Sequence, residues 1–137
     1  MRIVTRLLPA VLWMGAIFYL SARTGDDMGG WLIQFQRFIP FMEGLDWGHF
    51  LAYFILSITY AWAFGKHKLN WGHKCIVVLL CTLYGITDEF HQSFVPGRAP
   101  DVMDIRNDAI GAALAMLFIS IPIIKVPFDR WKGAKYY

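Results

Sequence analysis

The chain has 137 residues, 57% hydrophobic and 17% charged, with a mean hydropathy of +0.44, whereas a soluble domain carries about a quarter charged residues. Its net charge of +3 and pI of about 9.0 do not point to nucleic acid, because the basic residues sit beside apolar runs instead of lining one polar face. Charge is gathered into short blocks between runs close to bilayer length, without the period-two alternation of a barrel strand. The expected class is therefore all-α: one integral membrane domain over residues 1–137, a bundle of four transmembrane helices, with the lipid bilayer as its partner.

The first span is expected over residues 7–22 (LLPAVLWMGAIFYLSA). Arg2 and Arg6 before it imitate a signal peptide, but Leu20-Ser21-Ala22 is a poor cleavage site, so an uncleaved anchor is expected. Residues 23–47 are read as a loop holding the GDDMGG turn and an amphipathic surface segment near 31–42, interrupted by Pro40. The second span covers 49–64 and the third 75–88, apolar until it meets TDEFHQ. The fourth, 104–124, opens with DIRND and continues as AIGAALAMLFISI. Cys75 and Cys81, six residues apart in the third run, face different sides of a helix and are not expected to pair.

Lysine and arginine near the spans set orientation. Arg2, Arg6, Lys66, Lys68, Lys74, Lys125, Arg130, Lys132 and Lys135 gather at one set of ends. Arg23, Arg37, Arg98 and Arg106 lie among acids at the other. Both termini are thus expected to be cytoplasmic, in a multi-pass membrane protein. Trp47, Trp71, Trp131, Tyr136 and Tyr137 fit an interfacial aromatic belt.

That topology brings three polar clusters to the outer side. His49, Tyr53, Ser57 and Tyr60 share one face of the second helix. Asp88, His91 and Gln92 share a face at the end of the third, with Glu89 turned aside. Asp104, Asn107, Asp108 and Gly111 share a face at the start of the fourth, where Asn107, Gly111 and Ala115 form a close-packing seam. Between the last two clusters, Pro96-Gly97 is the dipeptide of a type II turn, and Arg98 has the planar fork of a phosphate or carboxylate clamp.

Each feature has a bland explanation beside the functional one. Asp101 or Asp104 can simply cap the fourth helix, His91 and Gln92 can be wetted loop residues, and His49 can bond a neighbour. Asp88 and Glu89 resist that explanation: carboxylates at a helix C-terminus oppose its dipole, and acids at membrane mid-depth cost about 2.5–3.5 kcal/mol. Glu89, His49, Asp88, Asp104 and Asp108 are therefore the catalytic candidates, and Arg98, Gln92, His91 and Tyr53 the binding candidates. Histidine mixed with carboxylates has the donor types of a divalent-metal site, but donors spread over three helices specify neither a metal nor a cofactor.

Two blocks resemble the VanZ family of small bacterial membrane proteins. His49-Phe50-Leu51-Ala52-Tyr53-Phe54-Ile55-Leu56 matches the pattern H-F-x-x-Y-x-x-L. Asp88 to Arg98, followed by Asp104, Asp108 and Gly111, matches D-E-x-x-Q-x-F-x-P-x-R and D-x-x-x-[ND]-x-x-G, and Leu20-Ser21 is similar too. The chain departs where many members carry Asp-Lys before the histidine: here Asp46 is followed by Trp47. The resemblance implies four spans and low-level teicoplanin resistance, a phenotype and not a reaction.

Three functions follow. The first is an envelope resistance factor that binds the lipid-tailed glycopeptide or a lipid-linked envelope precursor at the outer face. The second is a membrane hydrolase or transferase acting on a lipid or lipid-linked phosphate through the His/Glu/Asp/Arg site. The third is a polar network that only ties helix ends together, a modest glue at under about 1 kcal/mol per bond.

Overall fold

The computed structural model describes residues 2–38, 46–64 and 69–134. Pro40, Lys66, Lys68, Lys135, Tyr136 and Tyr137, and the last part of the 31–42 segment, lie outside the described residues. Six helices follow one another: α1 (Arg2–Ser21), α2 (Gly25–Phe38), α3 (Asp46–Ala63), α4 (Trp71–Gln92), α5 (Val102–Phe118) and α6 (Pro122–Ala134). There is no strand among the described residues.

Local chemistry fixes where these helices start and stop. Asn70 caps α4 by accepting the His73 N–H at 2.9 Å, while its own N–H donates to His73 Nδ1 at 3.4 Å. Asp101 caps α5, accepting the Met103 N–H at 2.8 Å, which realises the bland alternative for that residue. The GDDMGG stretch, expected as a turn, is helical instead. Thr24 Oγ1 accepts the Asp27 N–H at 3.3 Å, and Asp26 and Asp27 occupy the first turn of α2, where acids complement the dipole.

The stretch expected as one span over 104–124 is also divided. α5 ends at Phe118, and Pro122 opens α6 after a bend of 90°. Proline removes a helical N–H and drives the residue before it out of the α region, so Pro122 stops one helix and suits the first position of the next. Among the described residues no single helix is long and apolar enough to cross a membrane. Two bent pairs reach that length and composition together: Thr5–Ser21 with Gly25–Trp31, at 106°, and Val102–Phe118 with Pro122–Trp131, at 90°.

Helices α1, α3, α4 and α5 pack together, with α3 against α5 the most extensive contact. Tyr53, Leu56, Val77, Cys81, Ala112 and Ala115 form the buried core. Hydrogen bonds cross it: the Trp13 indole donates to the Ala52 carbonyl at 2.8 Å, Tyr84 Oη to the Met14 carbonyl at 2.7 Å, and Ser57 Oγ to the Ala112 carbonyl at 3.1 Å. Lys74 reaches Ser120 Oγ and lies over the Trp71 ring, tying the start of α4 to the end of α5. Cys75 is exposed and Cys81 buried, both as free thiols.

The distribution of polarity runs opposite to that of a water-soluble bundle. Leu8, Leu12, Leu83 and Leu114 are each at least half exposed, whereas Asp88, Glu89, Gln92, Asn107 and Asp108 are buried. Gly111 lets α5 approach α3 closely, because a Cβ there would strike the backbone carbonyl of Phe50. Backbone cannot swing aside as a side chain can, so Gly111→Ala is expected to destabilise the bundle by about 1–3 kcal/mol. Thermal unfolding of the detergent-solubilised protein measures this, and an unchanged midpoint would mean that Gly111 does not set the α3–α5 approach.

Candidate functional site

The start of α3, the end of α4 and the start of α5 converge on His49. Its Nδ1 lies 3.0 Å from Asp108 Oδ1, and its Nε2 3.5 Å from Asp104 Oδ2. A carboxylate only accepts, so the first contact places a proton on Nδ1. One donor atom each from His49, Glu89 and Asp104 lie within 4.8 Å of one another. Asp108 is fully buried. Three of the catalytic candidates thus surround His49, although 55 residues separate it from Asp104.

Glu89 is turned away from Asp88, toward the start of α5. Its Oε2 accepts the Asp101 N–H at 2.9 Å, while Oε1 is buried with no hydrogen-bond partner among the described residues. This carboxyl lies just past the segment expected to span. Burial raises its pKa more strongly than the Asp101 N–H lowers it.

Asp88 belongs to a second chain of contacts. Ser21 Oγ donates to Asp88 Oδ2 at 2.8 Å, and Gln92 Nε2 donates to the same oxygen at 3.1 Å. Arg98 Nε in turn donates to Gln92 Oε1 at 3.1 Å. Gly97, at φ +73°, takes the left-handed conformation that a type II turn requires and carries Arg98 back to the bundle. The arginine expected to clamp an anion is therefore held first by a neutral amide.

These chains border a cavity of about 110 Å³ between α1, α2, α3 and α4. Ile17, Leu20, Met28 and Ala52 form its apolar wall, while His49, Tyr53, Asp88, Gln92 and Arg98 provide its polar groups. Tyr53 is buried, and its hydroxyl lacks a hydrogen-bond partner among the described residues. His91 is not among the residues that border the cavity. Its ring stacks on Phe18 at 4.2 Å. Ser21 is a site residue that spacing and charge do not reveal, since a serine ending an apolar helix looks like a boundary. Only the resemblance at Leu20-Ser21 pointed to it.

The VanZ/LLP1 family profile matches residues 7–124, most of the chain. The chain belongs to the VanZ/LLP1 family. An uncharacterized protein of Schizosaccharomyces pombe is similar as well, 31% identical over 70 residues. That alignment covers 50% of this chain and 42% of the yeast protein, so the chain spans less than half of that relative's length. No solved structure matches it. In this VanZ/LLP1 protein the two motif blocks, read separately along the sequence, meet at one place: His49 of the first touches Asp108 of the second, and Tyr53 and Gln92 border the same cavity.

Proposed function

We propose that this VanZ/LLP1 protein is a multi-pass protein of a bacterial plasma membrane that engages an amphiphilic envelope component at the outer face. Its apolar exterior, with ionisable groups buried inside, supports insertion in lipid, where buried ionisable groups are retained for a task. The Lys and Arg bias supports four crossings with both termini cytoplasmic. The observation that carries the binding reading is the mixed lining of the cavity, where Ile17, Leu20, Met28 and Ala52 are apolar and His49, Asp88, Gln92 and Arg98 are polar. At about 110 Å³ the cavity would take only the junction between lipid tail and polar head of an amphiphile such as teicoplanin or a lipid-linked precursor, with the rest of the ligand outside it.

Teicoplanin and vancomycin susceptibility of a sensitive Gram-positive host tests this reading, with wild type and Ala52→Phe at matched membrane levels. Ala52 borders the cavity and its side chain makes no hydrogen bond, so a phenyl ring there obstructs the cavity and leaves the carboxylates in place. Wild type is expected to protect mainly against teicoplanin, and Ala52→Phe to lose that protection. Equal protection by both would remove the cavity from the account, and no protection by wild type would remove the resistance reading.

A second reading is favoured by His49, held between Asp108 and Asp104 with Glu89 beside it. A histidine oriented by one carboxylate is the arrangement of a general acid–base. On this reading the protein is a hydrolase or transferase acting on a lipid or lipid-linked phosphate. A change in the host's membrane lipids that depends on His49 would favour it over binding alone.

A further inference from the structure

We propose that His49 Nε2, Glu89 and Asp104 bind one divalent transition-metal ion, zinc or manganese, with Asp108 positioning the imidazole. With the Nδ1 proton donated to Asp108, Nε2 presents a lone pair, and it faces Asp104 Oδ2 across 3.5 Å. With a neutral imidazole these two acceptors repel, and either a second ring proton or a metal cation between them relieves the repulsion. Two donors bound about 2.1 Å from one tetrahedral ion lie about 3.4 Å apart, close to that separation.

Glu89 supplies an independent pointer. It is only 4% exposed and places a carboxylate oxygen in the same group, while its Oε1 has no hydrogen-bond partner among the described residues. Burying a carboxylate oxygen without a partner is expensive, and a cation removes that penalty. The His49–Asp108 contact is the usual outer-shell arrangement of a ligating histidine, in which a carboxylate fixes tautomer and ring orientation.

One nitrogen and two carboxylates suit zinc or manganese better than magnesium or calcium, which prefer oxygen alone. Three protein ligands leave coordination positions for water or a ligand. An ion here also resolves an electrostatic conflict. Asp88, Glu89, Asp104 and Asp108 make this end of the bundle repel an anionic head group, and Arg98 is occupied by Gln92. A bound dication inverts the local sign, and His49 is shared between the cluster and the cavity.

The test uses the purified full chain in detergent, stripped with a chelator and titrated with Zn²⁺ or Mn²⁺ against a chromophoric competitor. It needs no antibiotic and no turnover, so its outcome is independent of the functional reading above. Wild type is expected to bind one ion per chain, and Asp104→Asn and Glu89→Gln to weaken binding at least about 100-fold. Asp108→Asn should weaken it about 10–100-fold at unchanged stoichiometry. Asp26→Asn with Asp27→Asn, which removes exposed acids on α2, should leave ion binding unchanged. The ion is also expected to raise the thermal midpoint of wild type but not of Asp104→Asn, which separates lost ligation from lost folding. Absence of a tight site in wild type, or equal binding by wild type and Asp104→Asn, overturns the proposal and leaves His49 as an imidazolium bridging two carboxylates.

Discussion

Glu89→Gln is expected to fold as well as the wild type and to lose the teicoplanin protection proposed for it. Glutamine keeps a carbonyl oxygen that can accept the Asp101 N–H, the one hydrogen bond Glu89 makes at 2.9 Å. It also removes a negative charge from a residue that is 4% exposed and whose other oxygen lacks a partner among the described residues. An unsatisfied buried polar atom costs about 1–3 kcal/mol, and a charged one more. In the chelator-stripped protein the thermal midpoint should therefore stay level or rise. Teicoplanin protection, if it passes through this carboxylate, should fall toward that of the empty host, with ligand affinity or turnover down about tenfold or more, some 1.4 kcal/mol. The opposite pattern, lower abundance with protection retained per molecule, would make Glu89 a structural tie between α4 and α5. Membrane levels by immunoblot and susceptibility in the same cultures separate the two.

Gly85→Ala is expected to be the most damaging small substitution on α4. Alanine is the better helix former by about 1 kcal/mol, so on propensity alone the change should stabilise. Gly85, however, is buried against Asp108, and an added Cβ would strike Asp108 Oδ2. That carboxylate cannot simply rotate away, because its other oxygen holds His49 at 3.0 Å. Overpacking costs about 1–3 kcal/mol and here also displaces the group that orients the imidazole, so the clash outweighs the propensity gain. Thermal unfolding should show a net loss of stability, and activity should fall further than stability does. Asp108→Ala removes the obstructing carboxylate. The double variant should therefore be more stable than the sum of the two single effects, by a coupling of about 0.5–3 kcal/mol. Strict additivity would show that Gly85 and Asp108 do not meet.

The comparison of sequence with structure is instructive at particular residues. Asn107, Gly111 and Ala115, four apart and small or modest in size, predicted a packing seam, and all three are buried in the bundle. Pro96-Gly97 predicted a turn with positive φ at the glycine, as found. Pro122 carried its signal too, yet the apolar run around it read as continuous, and the helix ends at Phe118. GDDMGG misled in the other direction: its glycines suggested a turn, but Thr24 before them and two acids in the first turn favour a helix start.

The length of the apolar runs, their lack of period-two alternation and the distribution of charge were enough to establish an all-helical chain with its ionisable residues at a few helix ends. These are local properties, legible within a single stretch of chain. The tertiary structure alone decided that His49 faces Asp108 and Asp104, that Ser21 reaches Asp88 across 67 positions of sequence, and that Glu89 turns to Asp101 and not to Asp88. It also decided that Gln92 occupies Arg98 and that His91 leaves the cluster for Phe18. Each of these depends on the rotation and approach of one helix relative to another. Those are set by close contacts such as Gly111 against Phe50 and Gly85 against Asp108, and a single helix's periodicity carries no information about them.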